Sequence, residues 1–444
     1  MKRITGQSGQ RFGVGIIGAG SRGVGNLATR MCEIYAQHHL KPVAICDVQP
    51  TRLGEAQSYL QGQMLKHDVP GQLKAYRDAA ALIADPAVHV VLITTPQYAH
   101  EEPFRLAAES GKIVFCDKPL AASEDACDRM LEVYRRQRPR TMVGFTRRYE
   151  NAWRKTADLI HEGAIGSPRM ILIRSIIPFN RYFHGGWWRK KALSGDLLNE
   201  KCSHHFDVFN WYSDSHPVRV YAQGGRKVFD ARAGYPETCL DCSRLCHYRT
   251  TGGNDHLRSA DLIGTPMRTE VADDPQRRLS QALCVYSPEA DIIDHATVNL
   301  TFANGMVGTL FFSVFGQHGD EDQETAEVIG ERGRVSLSRH RGRVDLISEF
   351  GELKASHDCR GENFGSSHFG ADYRVVKLLS RLCTDGVAPP VGFEEAYRAS
   401  KAAFAAHRSI ATHSVQHPGL RLTVEEAADT PRNHDAEKPR EAIR

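Results

Sequence analysis

The chain has 444 residues, with 57 Lys and Arg against 53 Asp and Glu, a net charge of +4, and 41% hydrophobic residues. This length exceeds one hydrophobic core and predicts two domains, while so small a net charge, with acids interspersed among the bases, argues against a nucleic-acid partner. No apolar run reaches the roughly 18 residues of a membrane span, and residues 1–11 lack an apolar signal region, so the expectation is a cytoplasmic protein with no membrane partner.

Eleven cysteines, an odd number spread along the chain, fit reduced thiols better than a disulfide framework. One basic run, residues 332–343, holds several arginines and no acid; its strand-like core reads as a solvated strand edge rather than a nucleic-acid site. Residues 1–11 are polar and residues 427–444 are charged and poor in apolar side chains, which predicts a flexible N-terminus and a disordered tail.

The run Phe12-Gly13-Val14-Gly15-Ile16-Ile17 predicts a strand leading directly into Gly18-Ala19-Gly20-Ser21-Arg22-Gly23, and residues 26–35 carry helical apolar spacing. Strand, G-x-G-x-x-G and helix in this order make a dinucleotide pyrophosphate site. Gly18 permits the tight turn, Gly20 lets the backbone approach the phosphates, and Gly23 lets the helix pack close. Ser21 and Arg22 open a helix whose free N–H groups point at the anion. The next strand, residues 42–46, ends at Asp47, an acid placed to bind the adenosine ribose hydroxyls. That favours NAD over NADP, with Arg52 close enough in sequence to soften the repulsion of a 2′-phosphate. The alternative is a helix-capping aspartate.

Residues 88–94, 113–116 and 142–145 read as further strands, and 101–109 and 124–135 as helices. This alternation predicts an α/β domain over residues 12–146: a doubly wound parallel Rossmann sheet with helices on both faces. Ligands of such sheets lie at the carboxyl ends of the strands, which singles out Thr94, Thr95 and Pro96 with His100, and Asp117-Lys118-Pro119.

Beyond residue 147 the pattern changes. Residues 169–176, 296–302, 306–312 and 334–337 are strand-like, with Asn304-Gly305 as a hairpin signal between two of them. They predict a second α/β domain, residues 147–426, on a largely antiparallel open sheet, with helices at 151–161 and 394–407 covering one face or bridging back to the first domain. Residues 224–289 lack periodicity and read as a long insertion.

Glu200, His204 and Asp207 stand at i, i+4 and i+7, so a helix here projects all three from one face, with Trp211 continuing the row and Leu198, Cys202, Phe206 and Phe209 opposite. One reading is a solvated face with a charge pair; the other, favoured by Trp211, is a cleft. Lys118, just past a strand end that faces the ligand crevice, and His204, whose imidazole titrates near neutral pH, are the candidate reactive groups.

Several motifs occur together: the glycine run, Thr94-Thr95-Pro96 with His100, Cys116-Asp117-Lys118-Pro119, Gly144-Phe145-Thr146-Arg147-Arg148-Tyr149, Trp188-Arg189, and the stretch from Ser194 to Asp207. In this order they resemble the Gfo/Idh/MocA family of NAD(P)-dependent oxidoreductases, with Asp117 where that family usually has Glu and Glu200 where it usually has Asp. The resemblance implies a Rossmann domain joined to an open-sheet domain that forms homodimers or homotetramers, and oxidation or reduction of a polyhydroxylated small molecule, a sugar or cyclitol. It assigns Lys118, His204 and Glu200 to catalysis. Glu200 then bonds a substrate hydroxyl or fixes the His204 tautomer, Asp207 orients the helix or His204, and His205 is a spare. Trp188 and Arg189 lie near cofactor or substrate. Arg147, Arg148 and Tyr149 follow the last Rossmann strand, where a substrate contact and an interdomain salt bridge are equally open.

Cys239, Cys242, Cys246 and His247 stand outside this scheme; they read either as a structural zinc site or as free thiols in a loop. Two other functions use the same parts: a glycoside hydrolase working through transient oxidation with NAD, and a non-catalytic sugar or nucleotide sensor.

Overall fold

The protein is described by a computed structural model over residues 11–178, 182–183, 185–237, 242–244, 246, 248, 283–317 and 319–422. Its first sheet is built from short apolar runs: β1 (Phe12–Ile17), β2 (Leu40–Cys46), β3 (Lys74–Tyr76), β4 (Val90–Ile93), β5 (Ile113–Cys116) and β6 (Thr141–Val143). All pairs are parallel, in the order β3-β2-β1-β4-β5-β6. β1, β4, β5 and β6 are buried along their whole length because helices cover both faces. β1 pairs with both β2 and β4, so the strand order reverses above Gly18, which is where a doubly wound sheet opens its ligand crevice.

The covering helices are α1 (Ser21–Ala28, continued by Thr29–Glu33), α2 (Pro50–Lys66), α3 (Ala79–Ala84), α4 (Glu101–Glu109) and α5 (Glu124–Gln137). α2 starts on a proline, whose missing N–H costs nothing at that position. The Asp78 carboxylate accepts the Ala80 and Ala81 N–H groups of α3, and the Ser123 hydroxyl accepts the Ala126 N–H of α5.

The second domain carries α6 (Asn151–His161), β7 (Pro168–Pro178), the short α7 (Lys191–Ser194) and α8 (Asp196–Glu200), α9 (Ser203–Ser213), then β8 (Pro217–Gly225), β9 (His295–Phe302), β10 (Val307–Gly316), β11 (Glu324–Gly330), β12 (Gly333–Ser338), β13 (Arg343–Ser348) and β14 (Leu353–Asp358). These eight strands order as β14-β13-β12-β11-β7-β10-β9-β8, antiparallel except for the parallel β7–β10 pair. Asn304-Gly305 makes the expected hairpin, with Thr301 opposite Val307 and Gly305 at φ +83°. One face is covered by α6, α9 and α11 (Phe393–Thr412); the other leaves Met170, Leu172, Val307, Phe311 and Ile329 exposed.

α10 (Ala371–Thr384) packs Val375, Val376 and Leu379 into the first domain's core against α1, although it follows the second sheet in sequence. α11 also reaches back, with Phe393 stacked 4.6 Å from Tyr134 of α5.

Two expectations need correction. The stretch around His204 is not one helix: α8 stops at Glu200 and α9 starts at Ser203, with Lys201 and Cys202 in the turn between them. The arginine run 332–343 is not a sheet edge, because β12 lies inside the sheet between β11 and β13. Its Arg339 is buried, and Arg334, Arg341 and Arg343 pair with Glu327, Asp322 and Asp345. The expectations for residues 1–10 and 427–444, for Cys239 and His247, and for most of 224–289 fall outside the described residues.

Candidate active site

The crevice above β1 begins with a strained turn. Gly18 sits at φ +96°, in the left-handed region that glycine enters freely, and its N–H bonds Cys46 O at 2.9 Å. The Thr94 hydroxyl donates to Gly18 O (2.9 Å) and Ile17 O (3.1 Å), so the residue after β4 clamps the turn. A Cβ on Gly23 would stand 2.3 Å from that hydroxyl, whereas one on Gly20 would meet nothing within 4 Å. Gly20 thus faces open space at the start of α1, and no side chain caps the N–H groups of Ser21 and the residues after it.

Asp47 lies buried at the end of β2. Its carboxylate accepts Ala19 N–H at 3.0 Å and Gln49 N–H at 2.9 Å, with the Arg52 guanidinium 3.7 Å away. Asp47 is not the helix cap, because Gln49 holds that position in α2; its carboxylate instead shapes the turn before the helix and borders the glycine loop. Arg22 bridges Asp117 (3.1 Å) and Asp372 (2.5 Å), locking the loop to the end of β5 and to α10. His368 supports Asp372 at 2.9 Å. His100 is a strut: its ring nitrogens meet the carbonyls of Pro119 and Leu120 on one side and Thr95 on the other, fixing the loops that carry Pro96 and Lys118.

Lys118 extends from the end of β5 to the second domain. Its ammonium donates to Glu200 O at 2.6 Å and Glu200 Oε1 at 3.2 Å, while Gln97 holds Glu200 Oε2 at 3.1 Å and Ser194 O at 2.8 Å. Glu200 closes α8, which is tied to the first domain by Asn199 donating to Ala121 O. His204 opens α9 against the edge of the Phe145 ring, 5.5 Å between centroids, and its Nδ1 has no hydrogen-bond partner. Burial first, then the charges of Arg147, Lys118 and Lys201, holds the His204 imidazole well below its ordinary value, so it is neutral.

Asp207 receives two parallel bonds of 2.9 Å from Arg148, and the same guanidinium lies over Trp211. Arg147 does likewise with Glu324 at the start of β11 (2.7 and 2.9 Å) and reaches Glu150 at 2.9 Å. Both arginines thus tie the segment that follows β6 to α9 and β11. Tyr149 is fully enclosed, its hydroxyl without a partner. His205 bonds Glu324 at 3.0 Å and is pushed down to about 4, by burial first. Trp188 packs between Tyr182 and Trp187, and Arg189 reaches Cys284 O and Ser287 Oγ, both 3.4 Å away.

Sequence reasoning missed Glu150, Lys201, Glu324 and Arg339, which form the floor beneath α8 and α9. Only Glu150 left a local signal, three residues after Arg147. Cys242 and Cys246 are free thiols, and among the described residues no group of three or more His, Cys, Asp or Glu side chains is arranged to hold a metal ion.

Residues 12–145 match the family model described as "Oxidoreductase family, NAD-binding Rossmann fold", and residues 153–336 match the "GFO/IDH/MocA C-terminal domain". The chain belongs to the Gfo/Idh/MocA oxidoreductase family. Within that family it is 28% identical over 310 residues to the myo-inositol 2-dehydrogenase of Thermotoga maritima, covering 68% of this chain and 82% of that one. It is 30% identical over 214 residues to an uncharacterised oxidoreductase of Bacillus subtilis, 48% of this chain and 57% of that one, so the match spans little more than half of that relative. A levoglucosan dehydrogenase solved with NADH and levoglucosan shares the fold, with a TM-score of 0.71 at 18% identity over 93% of this chain and 100% of that one.

The site fits the dinucleotide that the family's first domain binds. The uncapped helix start and the open space at Gly20 form an anion cradle, with a buried carboxylate bordering it after β2. No helix among the described residues is long and apolar enough to cross a membrane.

Proposed function

We propose that this oxidoreductase transfers a hydride between a nicotinamide dinucleotide, NAD in preference to NADP, and a secondary hydroxyl or keto carbon of a sugar, cyclitol or glycoside. The observation that carries this reading is the 2.6 Å bond from Lys118 to Glu200, which brings an ammonium of the Rossmann domain onto the acidic turn just ahead of His204.

NAD, held by the glycine loop and Asp47, supplies the hydride acceptor. The chain's own residues handle the proton and the charge. Lys118 holds the substrate oxygen and stabilises the alkoxide as the hydride leaves. His204, neutral and with its buried Nδ1 unpaired, takes the hydroxyl proton and returns it in the reverse direction. Glu200, steadied by Gln97, accepts a hydrogen bond from a neighbouring hydroxyl and orients the ring. Asp207 does not react; its bidentate bond to Arg148 fixes α9 against the segment that follows β6.

The exposed apolar stripe of β7, β10 and β11 supports a homo-oligomer joined through the open sheet face.

Purified protein incubated with NAD and a panel of inositols and sugars tests the reading. Net growth of NADH absorbance is the expected result. Aglycone release without net NADH identifies a hydrolase, and dinucleotide binding with no turnover on any substrate identifies a sensor.

A further inference from the structure

The floor of this site carries one more positive charge than its carboxylates can hold. Glu324 accepts from Arg147 Nε and Nη2, from Arg339 Nη1 at 3.3 Å, and from His205. Glu150 accepts from Arg147 Nη1 and from Arg339 Nε and Nη2 at 2.7 and 2.8 Å. Glu200 is paired with Lys118. Both buried floor carboxylates are therefore filled, and one cation is left over.

That cation is Lys201, in the turn between α8 and α9. Its ammonium stands 3.9 Å from Glu324 Oε2, beyond hydrogen-bond reach, and among the described residues nothing accepts a hydrogen bond from it. The buried ion pairs connect Arg147, Lys201 and Arg339 against Glu150 and Glu324, with Lys118 and Glu200 a separate balanced pair and His204 and His205 neutral. The Lys201 side chain keeps 16% of its surface open, so the tip is not sealed in the core. It sits in the turn between Glu200, which Lys118 holds, and the start of α9, which carries His204.

A buried ammonium without an acceptor is costly. Burial first, then Arg147, Arg339 and Lys118 against the pull of Glu324, pushes Lys201 down to about 7. One bound carboxylate would supply the missing acceptors and bring the cluster to neutrality; a phosphate monoester would overshoot.

We propose that Lys201 anchors a carboxylate of the substrate, so that the polyol taken by this site is a sugar acid rather than a neutral sugar. This rests on the hydride-transfer reading only for the direction from which substrate enters; the anchor itself is a binding property and is tested as one.

The experiment is equilibrium binding of D-glucuronate and of D-glucose to the full chain with NADH present, followed by initial rates on both with NAD. We expect D-glucuronate to bind at least about tenfold more tightly, the scale of one hydrogen-bonded charge pair. Lys201→Met, checked for folding by its melting temperature, abolishes the preference, and Lys201→Arg restores most of it. Equal binding of the two sugars, or a preference that survives in Lys201→Met, overturns the anchor. Tighter binding of D-glucuronate upholds the anchor whether or not either sugar is turned over, while turnover of both without a binding preference upholds the dehydrogenase reading and overturns the anchor.

Discussion

Lys118 and Glu200 join the two domains at the point where chemistry is expected: the ammonium donates to the Glu200 carbonyl at 2.6 Å and to its carboxylate at 3.2 Å. The pair is held from both sides, since His100 fixes the Lys118 loop through carbonyl contacts and Gln97 fixes the far carboxylate oxygen. Lys118→Met keeps the side chain's length and apolar stem while removing the charge. The expected outcome is a fall in kcat of about 10²-fold or more with NADH binding retained. Fluorescence titration with NADH and steady-state rates check this together, and wild-type turnover in the variant would remove Lys118 from the reaction.

The first domain was legible because its signals are local. A β-branched strand, three glycines and an acid at the end of the next strand are set by adjacent residues, and the fold realises them within a residue or two. β5, α4 and α6 agree with the sequence reading at both ends. Much of the second domain was less legible. β11 and β13 alternate buried and partly exposed residues rather than forming apolar runs, because one sheet face is open, and β14 at the sheet edge buries none of its residues. The break at Lys201 and Cys202 left no Pro or Gly to mark it. The buried floor brings Arg147 and Glu150 to Glu324 and Arg339, well over a hundred residues apart in sequence, and such tertiary pairs have no periodicity to read.

Asp47 is the residue that reads the ribose if NAD is preferred. Its carboxylate borders the glycine loop through Ala19 N–H, and Arg52 waits 3.7 Å away. Asp47→Ala removes the charge that repels a 2′-phosphate and frees Arg52 to attract one. The ratio of kcat/KM for NAD over NADP should fall by at least about tenfold, the effect of one like-charge contact. An unchanged ratio would show that selectivity is set elsewhere.

Phe311 stands near the middle of β10 with 52% of its surface exposed, across from Arg174 of β7 and Thr297 of β9 and on the same open face as Leu172 and Val307. Phe311→Asp places a charge that an apolar interface would have to desolvate, at a cost of several kcal/mol. The expected result is a monomer by light scattering where the wild type is a dimer or tetramer. The urea midpoint of the separated chain should stay close to wild type, because the side chain is outside the core. An unaltered mass would mean that copies meet through another surface.

Stability should fall on mild acidification, and three imidazoles set the sign. His38, His205 and His340 are each pushed down to about 4 from an ordinary 6.5, in each case by burial first. His38 shows why the neutral form is native: its Nδ1 accepts Leu40 N–H at 2.9 Å, while Nε2 faces Met31 O at 2.9 Å. The unfolded chain protonates these rings near pH 6.5 and the folded protein near pH 4, so between those values the unfolded state binds more protons and stability drops as pH drops. Their contribution is complete above about pH 6.5 and is lost by about pH 4. Urea midpoints measured across this window should decline steadily, and His38→Gln, far from the catalytic groups, should flatten the decline. A variant with the wild-type slope would mean that His38 is already charged in the folded protein, which its accepted bond from Leu40 forbids.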